Sequence, residues 1–293
     1  MDITWYGTAS LRIDIQGLSL LFDPFVPLPG ASCRMRVEGF LPAPQVFITH
    51  GHFDHLFSVP DLVRAGGGTV FATQTPLSTL AGQGVPAKHL KLVKPGDRLC
   101  FSAATGSPIP SFPKNSQAEG GNPDPEAASA SQEDTDRGVA VAVRRGRHIR
   151  FDAWLAASTL TDPRMLSYRE NAQAIRRANK VFAENNETVV YEVSYHHTRL
   201  TVMGSLALDE QERYAESPDL LVLPYQGHSH LEKVALPIIE RLAPRKVLLD
   251  HFDNSFPPLS RDIDPSPFLE AMAKSHPDVQ VIVPQRNTRY PLT

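Results

Sequence analysis

Thr49-His50-Gly51-His52-Phe53-Asp54-His55 sets three imidazoles and a carboxylate within six positions of a 293-residue chain. Pro44 and then Gln45-Val46-Phe47-Ile48-Thr49, an apolar β-branched run, precede it, so the first histidine falls where a buried strand ends. Gly51 allows a sharp backbone turn at that point. A tight loop at a strand end aims neighbouring side chains into one pocket, and neutral imidazole is the commonest protein ligand for zinc and similar ions. The plainer reading, a histidine-rich surface loop, does not account for the buried strand in front of it. The pattern therefore points to a metal centre.

Outward from this stretch, strand-like segments recur at residues 3–6, 11–15, 18–22, 46–49 and 69–72, with short helices expected over 60–65 and 75–81. Residues 102–138 turn to Ser, Ala, Gly, Pro, Asn and acidic side chains, too little apolar surface to offset ordering entropy, and read as a disordered or loop insertion. Strands are expected again over 139–143 and 147–151. Asp162-Pro163 opens a helix over 163–184, broken near Ser167, on which Ile175, Ala178, Val181 and Phe182 recur at helical spacing. Residues 188–194 and 200–203 suggest a hairpin around His196-His197-Thr198, and 219–223 and 246–250 are further buried strands. Between those two, Ser229 and Glu232 form a capping box for a helix carrying Leu231, Val234, Ile238 and Leu242 on one face, with Pro237 expected to kink it. Strands interspersed with helices of this kind indicate an α/β layered fold.

Composition narrows the function. A net charge of −3 without a basic run argues against a nucleic-acid footprint or an anionic-membrane surface. No apolar run approaches the roughly 20 residues needed to cross a bilayer. The chain is strand-like from Ile3, with no signal-peptide pattern, and Cys33 and Cys100 belong to no paired motif, so a reducing, cytoplasmic location is expected. Oligomeric state has no signature in the sequence.

His50, His52, Asp54 and His55 match the His-x-His-x-Asp-His signature of the metallo-β-lactamase-fold hydrolase superfamily. The opening Ile3-Thr4-Trp5-Tyr6-Gly7-Thr8-Ala9-Ser10, then Leu18 to Phe22 and Asp23-Pro24-Phe25, resembles the first strands of that fold, and Lys246-Val247-Leu248-Leu249-Asp250-His251 resembles its last metal-binding strand. The resemblance is greatest to the lactonase-like and general metal-dependent hydrolase branches. It implies an αββα sandwich, two mixed sheets with outer helices and a metal site along one edge, built here as one domain over 1–293 with the insertion inside it.

The resemblance also implies the ligands. His50 and His52 would share one metal with a third histidine, while Asp54, His55 and His251 would hold a second. For the third histidine, His89 and His148 both fit the order of the chain; His148, which follows a strand and enters the apolar Ile149-Arg150-Phe151, is preferred. The family's bridging aspartate falls on Ser205, in Val202-Met203-Gly204-Ser205-Leu206. A neutral hydroxyl is a poor substitute for a carboxylate beside a divalent ion, which leaves one tightly held metal, two metals bridged by water, or a carboxylate from elsewhere, Asp152 and Asp209 being nearest in sequence.

A metal held by imidazoles lowers the pKa of water to about 7 and polarises a carbonyl or phosphoryl oxygen. Asp54 is the candidate catalytic residue, as orienter of the water or proton acceptor. Gln226 and His228, after a buried strand, could meet a substrate. The first reading is a hydrolase of a small-molecule ester, lactone, amide or phosphoester with one or two zinc ions, iron or manganese being possible. The alternatives are a mononuclear iron oxygenase of sulfur compounds, since zinc has no redox chemistry, and a degenerate binding module, against which the retained ligand set argues.

Overall fold

The computed structural model describes residues 1–109, 138–147, 170–171, 173, 177, 187–227, 230–258 and 260–292. Among these, β1 (Asp2–Gly7), β2 (Ser10–Ile15), β3 (Leu18–Phe22), β4 (Gln45–Phe47), β5 (Thr69–Ala72) and β6 (Leu90–Leu92) lie side by side in one sheet. The second sheet contains β7 (Arg98–Phe101), β8 (Pro108–Ile109), β9 (Val139–Arg145), β10 (Val189–Tyr195), β11 (Thr198–Val202), β12 (Leu220–Pro224), β13 (Lys246–Asp250) and β14 (Gln280–Ile282), in the order β14-β13-β12-β11-β10-β9-β7-β8. Strand β15 (Arg289–Pro291) returns to the first sheet and pairs antiparallel with β1, Ile3 opposite Tyr290.

Period-two alternation within the strands explains the layering. Leu20 and Phe22 of β3 and Leu220 and Val222 of β12 point into a core shared by the two sheets, together with Phe47, Val141, Tyr191 and Leu248. Leu21, Val46 and Val70 point outward and are covered by α1 (Phe53–Leu56), α2 (Val59–Arg64) and α3 (Gln74–Gly82). On the far face Leu221, Leu223, Val247 and Leu249 are covered by α4 (Leu231–Leu242) and α5 (Ser266–Ser275). The αββα sandwich expected from the sequence is the architecture found.

Strands β3 to β5 run parallel to one another, as do β11 to β13, so their carboxyl ends gather along one edge of the sandwich. Two contacts tie the sheets together there. The backbone N–H of Val189, at the start of β10, donates to the Thr49 carbonyl (2.9 Å), and the buried Tyr191 hydroxyl donates to the Ile48 carbonyl (2.8 Å).

Several local expectations change. The insertion begins later than residue 102: β8 pairs with β7, Cys100 opposite Ile109, and the Gln45 side chain donates to the Gly106 carbonyl, while 110–137 lie outside the described residues. Strand β9 ends at Arg145 and Gly146 makes an isolated bridge to Leu208, while the strand expected over 147–151 lies, beyond its first residue, outside the described residues. In the helix expected over 163–184, residues 170, 171, 173 and 177 are helical and the others lie outside the described residues. Helix α4 starts at Leu231 with His230 at its N-cap making no side-chain cap bond, and the expected cap residue, Ser229, lies outside the described residues. Pro237 sits inside α4 without ending it. The hairpin of β10 and β11 is as expected, with exposed His196 and His197 forming its two-residue turn. No helix among the described residues is long and apolar enough to cross a membrane.

Burial pushes the Tyr191 hydroxyl well above the usual tyrosine range. Tyr191→Phe leaves the Ile48 carbonyl without this donor and should cost about 1–2 kcal/mol at pH 8 by urea denaturation. The unfolded chain loses the tyrosine proton near pH 10 while the native chain keeps it, so wild-type stability falls as pH rises past that value. The deficit of Tyr191→Phe should therefore shrink above pH 10.

Candidate metal centre

Strand β4 ends at Phe47, and Ile48 and Thr49 carry the chain to the carboxyl edge before the histidines begin. Helix α1 starts at Phe53, immediately after His52, and turns Asp54 and His55 inward. Phe53 between them is buried against Phe25 and Phe256 in edge-on contacts, so the loop is anchored by an aromatic wedge while its neighbours face the polar edge.

The geometry separates two groups. His50 Nε2 and His52 Nδ1 stand 2.9 Å apart, converging on one point. Asp54 Oδ2 lies 3.0 Å from His251 Nε2 and 3.7 Å from His55 Nε2. One ligand atom from each of Asp54, His55 and His251 falls within 4.8 Å of the others, and all three residues are buried. His251 reaches this place from the far end of the chain by following β13 and taking a left-handed backbone, φ 61°.

Asp23, directly after β3, organises both groups. Its Oδ1 accepts the Thr49 backbone N–H (2.8 Å), and its Oδ2 accepts the Thr49 hydroxyl (2.6 Å). The His55 Nδ1 is 2.9 Å from the same Oδ2. A proton on Nδ1 fixes the tautomer and leaves Nε2 facing Asp54 and His251, as a metal ligand requires. Thr49 Oγ1 is also 3.0 Å from His50 Nδ1, which leaves that ring's Nε2 for His52.

Burial alone would lower the His55 pKa, but without a cation in the centre Asp23 and Asp54 outweigh it and hold the imidazole at about 9, so a metal at Nε2 would take the place of that proton. Burial would likewise raise Asp54; His55, His251 and His52 outweigh it and keep the carboxylate below its usual range. For Asp250, burial and the neighbouring Asp23 push the carboxyl well above the ordinary value.

These residues fit a divalent cation. Asp23, Asp54, Asp250 and Asp253 are all buried, and Arg286 pairs with Asp253. Asp54 Oδ1 and Asp250 Oδ1 are buried without a hydrogen-bond partner, a costly arrangement unless an ion or its water satisfies them. One carboxylate with imidazole nitrogens is a borderline donor set suited to zinc, and to iron or manganese as well.

The other expected residues divide. His89 is placed elsewhere: its Nδ1 lies 2.8 Å from the Gly68 carbonyl, at the start of β5, whereas the His50 cluster stands beyond the opposite ends of the parallel strands. His148, Asp152 and His228 lie outside the described residues. Asp209 does not substitute for the bridging carboxylate, because its Oδ1 accepts the N–H groups of Gln211 and Glu212 and is spent on its own turn. Ser205 is buried, next to Gly204, whose missing side chain makes room for Thr49: a Cβ there would stand 2.0 Å from Thr49 Oγ1. Residue 205 thus sits against the base of the histidine loop. Gln226 follows β12 with its Oε1 buried and unpartnered.

Sequence reasoning missed Asp23, Asp250 and Asp253. Asp23 had a signal, a carboxylate placed immediately after a buried strand, but nothing local showed that it would face residues 26 to 32 positions later.

The chain belongs to the beta-lactamase superfamily: the model of the Beta-lactamase superfamily domain matches residues 2–250. A curated metal-dependent hydrolase from Pyrobaculum neutrophilum is 30% identical over 86 residues, which is 29% of this chain and only 38% of that relative's length. Among solved structures, a metallo hydrolase from the hyperthermophilic archaeon Ignicoccus hospitalis KIN4/I superposes with a TM-score of 0.58 at 16% identity, covering 100% of this chain and 99% of its own. Zinc-bound PqqB from Methylobacterium extorquens gives 0.53 at 12% identity, with both chains covered completely. At these identities the structures establish the shared fold.

Asp23→Asn removes the negative acceptor that fixes the His55 tautomer and should weaken metal retention by about 10- to 100-fold, read by chelator competition. Ser205→Asp should raise the metal-to-protein ratio measured by elemental analysis; an unchanged ratio would show that residue 205 does not face the metals.

Proposed function

We propose that this protein is a metal-dependent hydrolase of a small-molecule ester, lactone, amide or phosphoester. The observation that carries the reading is the convergence of buried Asp54, His55 and His251 beside the His50–His52 pair. The hydrolase names of relatives such as the Pyrobaculum protein support it.

We assign His50 and His52 to one metal, with His148 completing the set. Gly146, two residues before His148, donates to the Thr188 carbonyl (2.8 Å), and the next residue, Val189, bonds Thr49. The chain therefore leaves β9 along the same edge that carries the histidine loop. Asp54, His55 and His251 are assigned to the second position. Zinc is the proposed ion, in keeping with the donor set and with the zinc-bound PqqB neighbour. When bound, the metal would activate water and polarise the scissile bond.

The remaining work falls to side chains of this protein. Asp54 presents Oδ2 to the imidazoles and keeps Oδ1 unbonded, in position to orient the attacking water and accept its proton. Asp23 and Thr49 hold His55 and His50 in the tautomers that keep their Nε2 atoms turned to the centre. Gln226, whose Oε1 after β12 has no partner, is assigned to accept a hydrogen bond from the substrate.

His52→Ala should lose metal and esterase or lactonase turnover together, with activity falling at least about 100-fold, the general scale for removing a group that acts in the transition state. Elemental analysis of protein expressed without added metal tests the ion. Near-stoichiometric iron would favour oxidative chemistry on a sulfur compound, a reading to which the missing carboxylate at Ser205 lends its one specific support. Wild-type protein that takes up no metal on reconstitution would defeat both.

A further inference from the structure

His251 is an unusual ligand to hold, because a non-glycine residue at φ 61° gives up favourable backbone energy and keeps that conformation only if its surroundings impose it. The imposition comes from the turn between β1 and β2. The His251 backbone N–H donates to the Thr8 carbonyl (2.8 Å), which also accepts the Trp5 indole N–H (2.8 Å). Two residues further on, the buried Asp253 returns the contact, its Oδ1 accepting the Thr8 N–H at 2.8 Å. Thr8 is thus gripped from both sides by the loop that carries the ligand.

Asp253 is in turn fixed by the end of the chain. Its Oδ2 accepts Nε (3.2 Å) and Nη2 (2.5 Å) of Arg286 and the Ser255 hydroxyl (2.6 Å). The guanidinium lies 5.7 Å from the Trp5 ring centre, and Trp5 stacks on Phe252 at 4.9 Å, so the fork is held over an aromatic pair that includes the residue after His251. Asn287 donates to the Trp5 carbonyl (2.8 Å), and β15 pairs with β1, which seats Arg286 on the first sheet. Arg286 Nη2 also donates to Ser32 Oγ (2.9 Å). All of this lies beyond residue 250, where the family match ends, apart from Trp5, Thr8 and Ser32.

We infer that Arg286 is a positioning residue for the metal centre: through Asp253 and Thr8 it holds the strained His251 backbone so that the imidazole faces Asp54 and His55. This rests on the metal assignment proposed above. A guanidinium suits the task because its planar fork fixes the direction of the carboxylate, whereas an ammonium supplies charge without direction.

The test uses the full chain loaded with cobalt(II), with chelator competition, metal stoichiometry and the visible cobalt spectrum as readouts. Arg286→Ala should weaken retention of the metal at Asp54, His55 and His251 by about 10- to 100-fold and alter the spectrum, the range common for removing a group that orients a ligand. Arg286→Lys should recover part of the loss. Adding Arg286→Ala to Asp253→Asn should cost nothing more, because both act along one route. An unchanged chelator midpoint and spectrum in Arg286→Ala, or losses that add in the double variant, overturns the inference. Should Arg286→Ala fail to fold, Arg286→Lys and Asp253→Asn decide it: native midpoints and spectra in both overturn it. Wild-type protein that binds no cobalt removes the metal assignment itself, whereas metal-binding wild type with indifferent variants removes only the role of Arg286.

Discussion

The Asp23 carboxylate is the constraint on which the centre depends. Fully buried at the end of β3, it accepts two hydrogen bonds from Thr49 and stands against His55, so one anion aligns the end of β4, the histidine loop and the first turn of α1. A buried carboxylate is tolerable only where its oxygens are satisfied, and Asp23 meets that requirement by bonding the residues that must be positioned. The chemistry and the folding of this edge use the same contacts. Ser10 extends them, its hydroxyl donating to the Asp23 carbonyl and accepting from the Phe25 N–H, which pins the loop after β3 to the start of β2.

The architecture explains why the site lies on this edge. Parallel strands in both sheets end on the same side, and carboxyl ends of parallel strands are where a layered α/β fold leaves backbone and side chains free to meet a ligand. Asp23, the histidine loop, Ser205, Gln226 and His251 all follow such strand ends. Helices α2 to α5 cover the outward apolar residues, and among the described helices α1 supplies Asp54 and His55 to the convergence. Acidic side chains are concentrated accordingly, with Asp23, Asp54, Asp250 and Asp253 buried at one edge of a chain whose net charge is only −3.

Much of this was legible in the sequence, because the signals were local. Short apolar runs marked β3, β5 and β13 at their observed bounds, since strands covered on both faces read as continuous hydrophobic segments. The spacing of His50, His52, Asp54 and His55 announced the metal loop. The weak points were boundaries and partners. The capping box at Ser229 and Glu232 put the start of α4 within one residue of the observed Leu231, the precision to which helix ends are defined. His89 looked acceptable by order along the chain and stands at the wrong end of β5.

The sequence by itself determined the layered fold and the ligand-rich loop, and through the motif's resemblance the superfamily, because strand patterns and a dense cluster of ligand side chains are properties of short segments. Only the tertiary structure decided which distant groups complete and support the centre. Asp23 meets Thr49 and His55, His251 meets Asp54 across 197 positions, and Arg286 reaches Asp253 and Ser32. Such pairings depend on which strands end on the same edge and on how a left-handed residue after β13 is held against Thr8. That is a matter of sheet order and packing, which no stretch of neighbouring residues encodes.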